Sequence, residues 1–274
     1  MASKNSILLL IATFLVVLAP AAFGQAASNR WEWMGGSNTL PSCSSPGECS
    51  APGVYGAEGK FAAGNIPPGR QGAGSWKDSS GNFWLFGGQT WNVTANKYGD
   101  LNDLWEFNPV TGQWAWMGGS STTPACSNQE ACGQTGTYGT LDSASTGNNP
   151  GARISPATWT ASNGHLWLFG GTGFDSVGNY GNLNDLWEFN PSTLEWTWEG
   201  GSSVIPNSLD SQGSVGIYGK LGTPSAANIP GGRSQASTWT DSSGNLWLFD
   251  GDGYANSQSQ EGAERLNDLW SYRP

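Results

Sequence analysis

The apolar residues of this chain gather in short runs that recur at long and regular intervals. A Leu-Trp-Leu-Phe type run, each preceded by a Ser-Ser-Gly or Ser-Asn-Gly turn, occupies residues 83–86, 166–169 and 246–249. Unbroken apolar runs bounded by turns predict strands that are buried on both faces. Further along each interval, an Asn-Asp-Leu-Trp segment begins a stretch of alternating apolar and polar residues, which predicts a half-buried strand.

These runs belong to three repeat units. Each unit is predicted to contain strands a, b and c, with one tryptophan in strand a (Trp76, Trp159 and Trp239), and the first two units add a strand d with a Trp-x-Trp pair. The units span residues 70–120, 153–202 and 233–272; the third ends before its strand d, and a lone copy of strand d stands at 31–37. A small sheet with two apolar faces needs neighbouring sheets to cover it, so the repeats predict an array of packed sheets.

The repeats resemble kelch repeats, including those of the galactose-oxidase-like central domain. The features that carry the resemblance are the apolar run that ends in Gly-Gly and, at the same spacing in both full units, the aromatic pairs Trp105–Trp114 and Trp187–Trp196. The third unit departs from the pattern at Asp250, where the others have glycine. The resemblance implies an all-β fold, a β-propeller of four-stranded kelch-type blades, with three blades in this chain.

The number of blades leaves two interpretations open. Propellers typically have four to eight blades, so three blades form an open arc or half of a larger ring. The lone strand d at 31–37 balances the one that the third unit lacks. The chain is therefore either the truncated product of a longer gene or one half of a homodimer that completes a ring.

The first 24 residues have the features of a signal peptide. Lys4 precedes an apolar stretch over residues 7–18, and Ala22 and Gly24 are the small residues expected before a cleavage site. The stretch is too short to cross a bilayer core of roughly 30 Å. We therefore expect a mature chain, residues 25–274, that is secreted into an extracellular or periplasmic space and has no membrane association after cleavage. An uncleaved N-terminal anchor is the alternative.

Four cysteines form two equivalent pairs. Cys43 and Cys49 enclose five residues, Cys126 and Cys132 enclose five residues at the matching place, and the third unit lacks both. Paired presence and paired absence in an exported protein predict two local disulfides. A zinc site is the alternative, but each loop offers only two thiols and no nearby histidine. Oxygen-bearing side chains cluster around Asp175, but their spacing matches no defined calcium loop. We predict no bound metal.

Charge and histidine content exclude several functions. The net charge of −10 at pH 7 argues against a nucleic-acid partner, because phosphate binding needs clustered Lys and Arg. By resemblance, the family's oxidases hold copper with two histidines, and this chain has one, His165. The copper site therefore cannot be assembled. A Ser-His-Asp triad would have to use the same histidine, and the sequence has no Gly-x-Ser-x-Gly elbow for its serine. We expect a non-catalytic protein without a cofactor; a carbohydrate-active or oxidase-like enzyme fragment of a longer galactose-oxidase-like protein is the alternative.

The candidate ligand-binding residues either recur in every unit or stand outside the pattern. Arginines begin strand a, and in some kelch proteins, by resemblance, such arginines line a central ligand pocket; pairing with carboxylates or backbone carbonyls is the structural alternative. Tyrosines recur in the connections between units, which are too long to be mere linkers. The candidates are Arg70, Arg153, Arg233, Tyr55, Tyr138, Tyr218 and Trp91.

Trp91 differs from the other tryptophans. It follows the Gly-Gly pair and lies outside the repeated positions, which we interpret as core positions between sheets. It is the best single candidate for an exposed contact. Together these features predict a secreted, non-catalytic binding scaffold that presents long blade loops to a protein or a polysaccharide.

Overall fold

The computed structural model describes residues 30–40, 49–92, 96–123, 132–206, 213–255 and 263–274. The predicted signal peptide, Cys43 and Cys126 lie outside these residues. Residues 36–274 form one compact unit, and all the described strands belong to it. Within the described ranges, no helix is long and apolar enough to cross a bilayer.

The first repeat forms one antiparallel four-stranded sheet in chain order. Its strands are β1 (Gly74–Lys77), β2 (Phe83–Asn92), β3 (Lys97–Asn108) and β4 (Gln113–Gly118). Trp76 lies opposite Trp84, and Trp105 lies opposite Trp116, so the predicted strands a to d pair in sequence. Past a register shift after Phe86, β2 and β3 continue together as a long hairpin.

In the second repeat, the strands are divided between two sheets. Its strands are β5 (Arg153–Ile154), β6 (Ala157–Thr160), β7 (Leu166–Phe169), β8 (Thr172–Phe174), β9 (Tyr180–Asn182), β10 (Leu186–Asn190) and β11 (Glu195–Gly200). Strands β6, β7, β10 and β11 form the four-stranded sheet that corresponds to strands a to d. Strands β5, β8 and β9 form a second sheet, and Gly170 and Gly171 lie between β7 and β8.

The third repeat follows the second, but the described residues hold no fourth strand for it. Its strands are β12 (Arg233–Ser234), β13 (Ser237–Thr240), β14 (Leu246–Phe249), β15 (Asp252–Gly253), β16 (Glu264–Arg265) and β17 (Leu269–Tyr272). The sheet β13-β14-β17 corresponds to strands a, b and c, and β12-β15-β16 forms the smaller sheet. Among the described residues, no strand pairs with the outer edge of β17.

Neighbouring sheets cover each other's apolar faces. One buried cluster joins the first and second repeats, with Phe86 from β2 and Phe189 from β10 among its members. A second cluster joins the second and third repeats, with Trp159 from β6 and Leu248 from β14. Strand β7 contributes to both clusters and is buried along its whole length. The prediction of a strand covered on both faces is confirmed for this middle repeat.

The strand a tryptophans connect each sheet to the next. Trp76 Nε1 donates to the carbonyl oxygen of Trp167 at 2.9 Å, and Trp159 Nε1 donates to that of Trp247 at 2.9 Å. Both tryptophans are 6% exposed, as expected for core positions, whereas Trp239 is 54% exposed. Trp239 departs from the prediction because no further sheet follows the third repeat in the described part of the chain.

The Gly-Gly pair is needed where the next repeat approaches strand b. Gly87 and Gly170 have φ values of 64° and 62°. A Cβ at Gly87 would lie 2.8 Å from the carbonyl oxygen of Arg153, and one at Gly170 would lie 2.7 Å from that of Arg233. Asp250 adopts the same conformation, with φ of 61°, which aspartate tolerates better than most residues. Among the described residues no fourth repeat approaches Asp250, so one of the two close carbonyl contacts that Gly87 and Gly170 face is missing there.

Residues 30–40 contain no strand. The strand d that the sequence predicts over 31–37 is therefore absent here, and Trp31 is fully exposed. In the full repeats strand d pairs with the strand c that directly precedes it in the chain. The described residues hold no strand c ahead of residue 31 for this segment to join.

Candidate functional site

Each repeat contains a cluster of one arginine, one aspartate, one tyrosine and one tryptophan. In the second repeat, Arg153 Nη1 and Nη2 donate to Asp185 Oδ1 and Oδ2 at 2.7 and 2.8 Å. Tyr138 Oη and Trp187 Nε1 donate to the same Oδ2 at 2.6 and 2.7 Å. The equivalent clusters are Arg70, Asp103, Tyr55 and Trp105, and Arg233, Asp268, Tyr218 and Trp270.

The clusters bring together six of the predicted ligand-binding residues, but they use up the polar groups of those residues. The side chains of Arg153 and Asp185 are fully buried, and Arg153 also donates to the carbonyl oxygens of Gly151 and Gly170. Burial and the neighbouring Asp185 carboxylate raise the pKa of Tyr138 well above its ordinary value. The structure thus shows the arginines paired with carboxylates and carbonyls, the alternative to a ligand pocket. The clusters tie each long connection to strand c of the repeat that follows it.

The cluster of the third repeat is more open than that of the second. The Asp268 side chain is 16% exposed. Burial would raise its pKa, but hydrogen bonds from Arg233, Tyr218 and Trp270 lower the pKa of Asp268 to about 2. Burial and the hydrogen bond to Asp268 raise the pKa of Tyr218 to about 12. The carboxylate is therefore charged and the phenol neutral at physiological pH.

The seventh candidate, Trp91, lies near the tip of the first-repeat hairpin, directly opposite Tyr98. The two rings meet edge to face, with centroids 4.9 Å apart and planes at 85°. Tyr98 is 42% exposed and Trp91 is partly exposed. The equivalent of Trp91 in the second repeat is Phe174, which is buried. The first repeat therefore presents an aromatic pair at a position that the second repeat uses for packing.

Both cysteine-bearing connections reach this hairpin. Ser50, which follows Cys49, shares a hydrogen bond of 2.8 Å with the Thr90 hydroxyl and donates to the Trp91 carbonyl oxygen at 3.1 Å. On the other side, the carbonyl oxygen of Cys132 accepts a hydrogen bond of 2.6 Å from the Asp100 backbone. Neither Cys49 nor Cys132 is a free thiol. Because Cys43 and Cys126 lie outside the described residues, the two local pairs stay predictions.

Two buried aspartates lie in the same part of the fold. Burial raises the pKa of Asp100 to about 6, although hydrogen bonds to Gln89 and Tyr180 lower it. Asp175 accepts four hydrogen bonds, from the backbone of Val177, Asn179 and Ile205 and from the Asn179 side chain. The Asp175 carboxylate thus organises its own loop. Among the described residues, no group of three or more His, Cys, Asp or Glu side chains is placed to hold a metal ion.

A cavity of about 360 Å³ lies between the first and second repeats, with Asp78, Glu106 and His165 among its lining residues. His165 Nδ1 lies 2.8 Å from Glu188 Oε1, and Asn82 donates to Glu106 at 2.7 Å. Burial and the nearby Asp78 raise the pKa of Glu106. His165 thus occupies a polar position at a strand end, as the two asparagines at the matching positions suggested.

Among the described residues, one buried indole of the second repeat lacks the hydrogen-bond partner that its counterparts have. Trp84 Nε1 donates to Asp78 at 2.8 Å, and Trp247 Nε1 donates to Asp241 at 2.9 Å. The second repeat has Ala161 in place of the aspartate, and Trp167 Nε1 is buried without a hydrogen-bond partner.

Sequence reasoning missed Tyr98 as the partner of Trp91. The signal was present, because the two aromatic residues flank the short segment between the predicted strands. It was weak because the repeat alignment ends at Gly-Gly and gives no register for the residues beyond it.

The strands and their pairing define an all-β protein built of several small antiparallel sheets. No protein-family model matches the chain, and no curated protein is similar to it in sequence. Among solved structures, that of YjhT is distantly similar, with a TM-score of 0.42 and 16% sequence identity over 70% of this chain. The match covers 47% of YjhT, so the chain spans about half the length of that protein.

Proposed function

We propose that the chain is a secreted, non-catalytic binding scaffold built of three kelch-type propeller blades, residues 70–120, 153–202 and 233–272. Support for the propeller arrangement comes from the small sheets that cover each other's faces and are joined by the strand a tryptophans. The observation that carries the binding role is the Trp91–Tyr98 pair, of which Tyr98 is exposed and Trp91 partly exposed, held between two cysteine-bearing connections.

The aromatic pair has the properties of a ligand contact. Trp and Tyr offer a large apolar face together with a polar tip, which suits both sugar rings and protein surfaces. Phe174 and Tyr254, at the position of Trp91 in the other repeats, are buried. The fold of a repeat can therefore bury this position, and it does not by itself account for the partial exposure of Trp91. The predicted disulfides would hold the flanking connections in place and so reduce the entropy lost on binding.

A polysaccharide is the ligand that we favour, because Gln89 lies two residues before Trp91 on the same face of β2 and adds a polar side chain to the aromatic pair. The purified protein would be screened on glycan and protein arrays, and the best ligand titrated against Trp91→Ala and Tyr98→Ala. We expect each variant to bind at least tenfold more weakly, in keeping with aromatic hot spots. Val110→Ala, exposed in the turn between β3 and β4, is the control and should bind normally.

Three outcomes would count against this proposal. No binding on either array would reject the scaffold function, and full binding by both aromatic variants would reject this surface. Binding to proteins alone would replace the polysaccharide by a protein partner. Export is tested separately: the secreted product should begin at Gln25, and an intracellular protein that retains residues 1–24 would contradict it.

The enzyme alternative rests on the cavity that contains Asp78 and Glu106, where burial raises the pKa of Glu106. A carboxylic acid of raised pKa is what a general acid needs. If the protein cleaves the glycan that it binds, and Glu106→Gln abolishes cleavage but not binding, the enzyme function is correct. Binding without turnover favours the scaffold.

A further inference from the structure

Strand d makes the same set of contacts in both full repeats. The connection that precedes each repeat donates to its two strand d tryptophans: Gly59 N bonds to the Trp116 carbonyl oxygen at 2.7 Å, and Asn65 Nδ2 bonds to that of Trp114 at 3.1 Å. The second repeat repeats both bonds, from Asp142 and Asn148 to Trp198 and Trp196. Trp116 and Trp198 also meet the ring of the cluster tyrosine edge to face, at 5.5 and 5.3 Å.

The third connection is folded in the same way but lacks these partners. Asn228 Nδ2 donates to the carbonyl oxygen of Thr223 at 3.1 Å, as its counterparts do within their own connections. Tyr218 packs on Trp270 at 4.9 Å, as its counterparts do on Trp105 and Trp187. In the described part of the chain, no residue takes the place of the two strand d tryptophans. The third repeat therefore has a formed but unfilled place for strand d.

Residues 31–37 have the sequence and the local conformation of strand d. Their Trp-Glu-Trp-Met-Gly-Gly-Ser sequence matches 114–120 and 196–202. Trp33 Nε1 donates to the carbonyl oxygen two residues ahead, as Trp116 and Trp198 do. Gly36 has φ of 85°, and the equivalent Gly119 and Gly201 have 75° and 77°. The segment is thus shaped like the end of a strand d, while Trp31 and Trp33 remain exposed.

We propose that residues 31–37 of one copy pair with β17 of a second copy, so that two chains exchange strand d. The occupant is a second copy because of the order of the repeats. Each strand d is followed by the connection to the next sheet, so 31–37 belongs to a sheet that precedes the first repeat. For the third sheet of the same chain to take that place, three blades would have to close a ring, whereas propellers have four to eight. Two copies of the three described repeats supply six.

The exposed face of the third repeat independently indicates a following sheet. Trp239 is 54% exposed, whereas its counterparts are buried and donate to the strand b carbonyl of the next repeat. The matching carbonyl on the first repeat is that of Trp84. In the dimer, the third repeat of one copy faces the first repeat of the other, and Trp239 donates to Trp84. Phe83, which is 44% exposed, lies on the same strand as that acceptor.

Asp250 limits how closely the two copies approach. In the internal contacts, a Cβ at Gly87 would lie 2.8 Å from the carbonyl oxygen of Arg153. A second copy placed in the same way would bring its Arg70 carbonyl equally close to the Cβ of Asp250. The copies must therefore separate by a few tenths of an ångström at this point. Asp250→Gly removes the obstruction and should tighten the dimer.

The register of the full repeats specifies a crosslink that tests the exchange. Ala115 lies opposite Glu106, and Thr197 lies opposite Glu188; the equivalent residues are Glu32 and Ser271. Directly opposed residues in antiparallel strands lie within the Cα separation that a disulfide needs. Mixing Glu32→Cys with Ser271→Cys should give a covalent dimer with one copy of each variant. Ser243→Cys, exposed in a turn, is the matched control and should not crosslink with Glu32→Cys.

A variant that carries both Glu32→Cys and Ser271→Cys distinguishes pairing of strand d between two copies from pairing within one chain. A covalent dimer supports exchange between copies, and a crosslink within one chain overturns it. Sedimentation of the unmodified protein should show a dimer, and a monomer at all concentrations overturns the proposal. Trp33→Ala should raise the dimer dissociation constant at least tenfold, Asp250→Gly should lower it, and Leu221→Ala, a fully exposed control, should leave it unchanged. An unchanged constant for Trp33→Ala rejects strand d as the link.

Discussion

Replacing Asp185 by asparagine should destabilise the fold more than any other single polar exchange in the Arg-Asp-Tyr-Trp clusters. Asp185 Oδ1 accepts one hydrogen bond, and Oδ2 accepts three. An amide nitrogen must take the place of one oxygen, and in the better orientation it faces Arg153 Nη1, so that two donors oppose each other. That orientation loses one charge-assisted bond, worth about 1.5–3 kcal/mol. It also leaves the Arg153 charge buried without its counter-ion, which brings the expected loss to about 3–5 kcal/mol.

The assay is urea unfolding at pH 7, followed by tryptophan fluorescence, with the free energy obtained from the midpoint and slope. Asp268→Asn is the matched comparison, because the Asp268 side chain makes the same contacts but is 16% exposed. Water can reach that site, so we expect a loss of only about 1–3 kcal/mol. A loss below about 1 kcal/mol for Asp185→Asn, or an equal loss for both variants, would refute the argument that burial makes these pairs costly to break.

Three further predictions concern single positions. Ala161→Asp should stabilise the protein by about 1 kcal/mol, because it gives Trp167 Nε1 the partner that Asp78 and Asp241 supply elsewhere; thermal unfolding beside Ala161→Asn checks it, and a lower melting temperature contradicts it. Burial raises the pKa of Asp100 from 3.8 to about 6. Because the folded state holds the Asp100 proton more tightly than the unfolded state, the contribution of Asp100 to the free energy of unfolding is highest below pH 3.8. It falls as pH rises from 3.8 to about 6. Asp100→Asn should therefore be about 2–3 kcal/mol more stable than the parent at pH 7, with little gain at pH 3.5; urea unfolding at both pH values tests this, and an equal effect at the two would exclude the titration. Gly170→Ala should cost about 2 kcal/mol more than Gly112→Ala. Both have positive φ, but only the Cβ at 170 meets a carbonyl oxygen, and equal losses would show that φ alone decides.

The sheets could be predicted from the sequence, and their side-chain clusters could not. The buried strand β7 follows from four consecutive apolar residues, and β10 follows from alternation, because burial in a sheet depends on the pattern of neighbouring residues. Asp185 and Tyr138 lie 47 residues apart, and no periodicity links them. The recurrence of Arg, Asp and Tyr in all three units indicated a shared role, but assigning it required knowing that each connection folds over the following repeat.

The proposed binding surface was only half predictable. Trp91 stood out because it broke the repeat pattern, whereas its pairing with Tyr98 depends on how far the hairpin of β2 and β3 extends past Phe86. Hairpin length is set by backbone hydrogen bonds that leave little trace in residue type. The exposure of Trp239 was missed for a related reason: a repeat position specifies a core residue only when another repeat follows it.

The hydrogen bonds of the strand a indoles run from one repeat to the next along the chain, so the array of sheets has a direction. Trp76 and Trp159 each donate to the repeat after them, and none of the described strand a tryptophans donates to the repeat before it, so the two faces of a repeat are complementary rather than alike. Units of this kind add to one another in a single direction, and the rotation per repeat decides whether they close or grow without limit. Adding or removing one repeat should therefore change how many copies close the assembly, and a change in that rotation would give filaments.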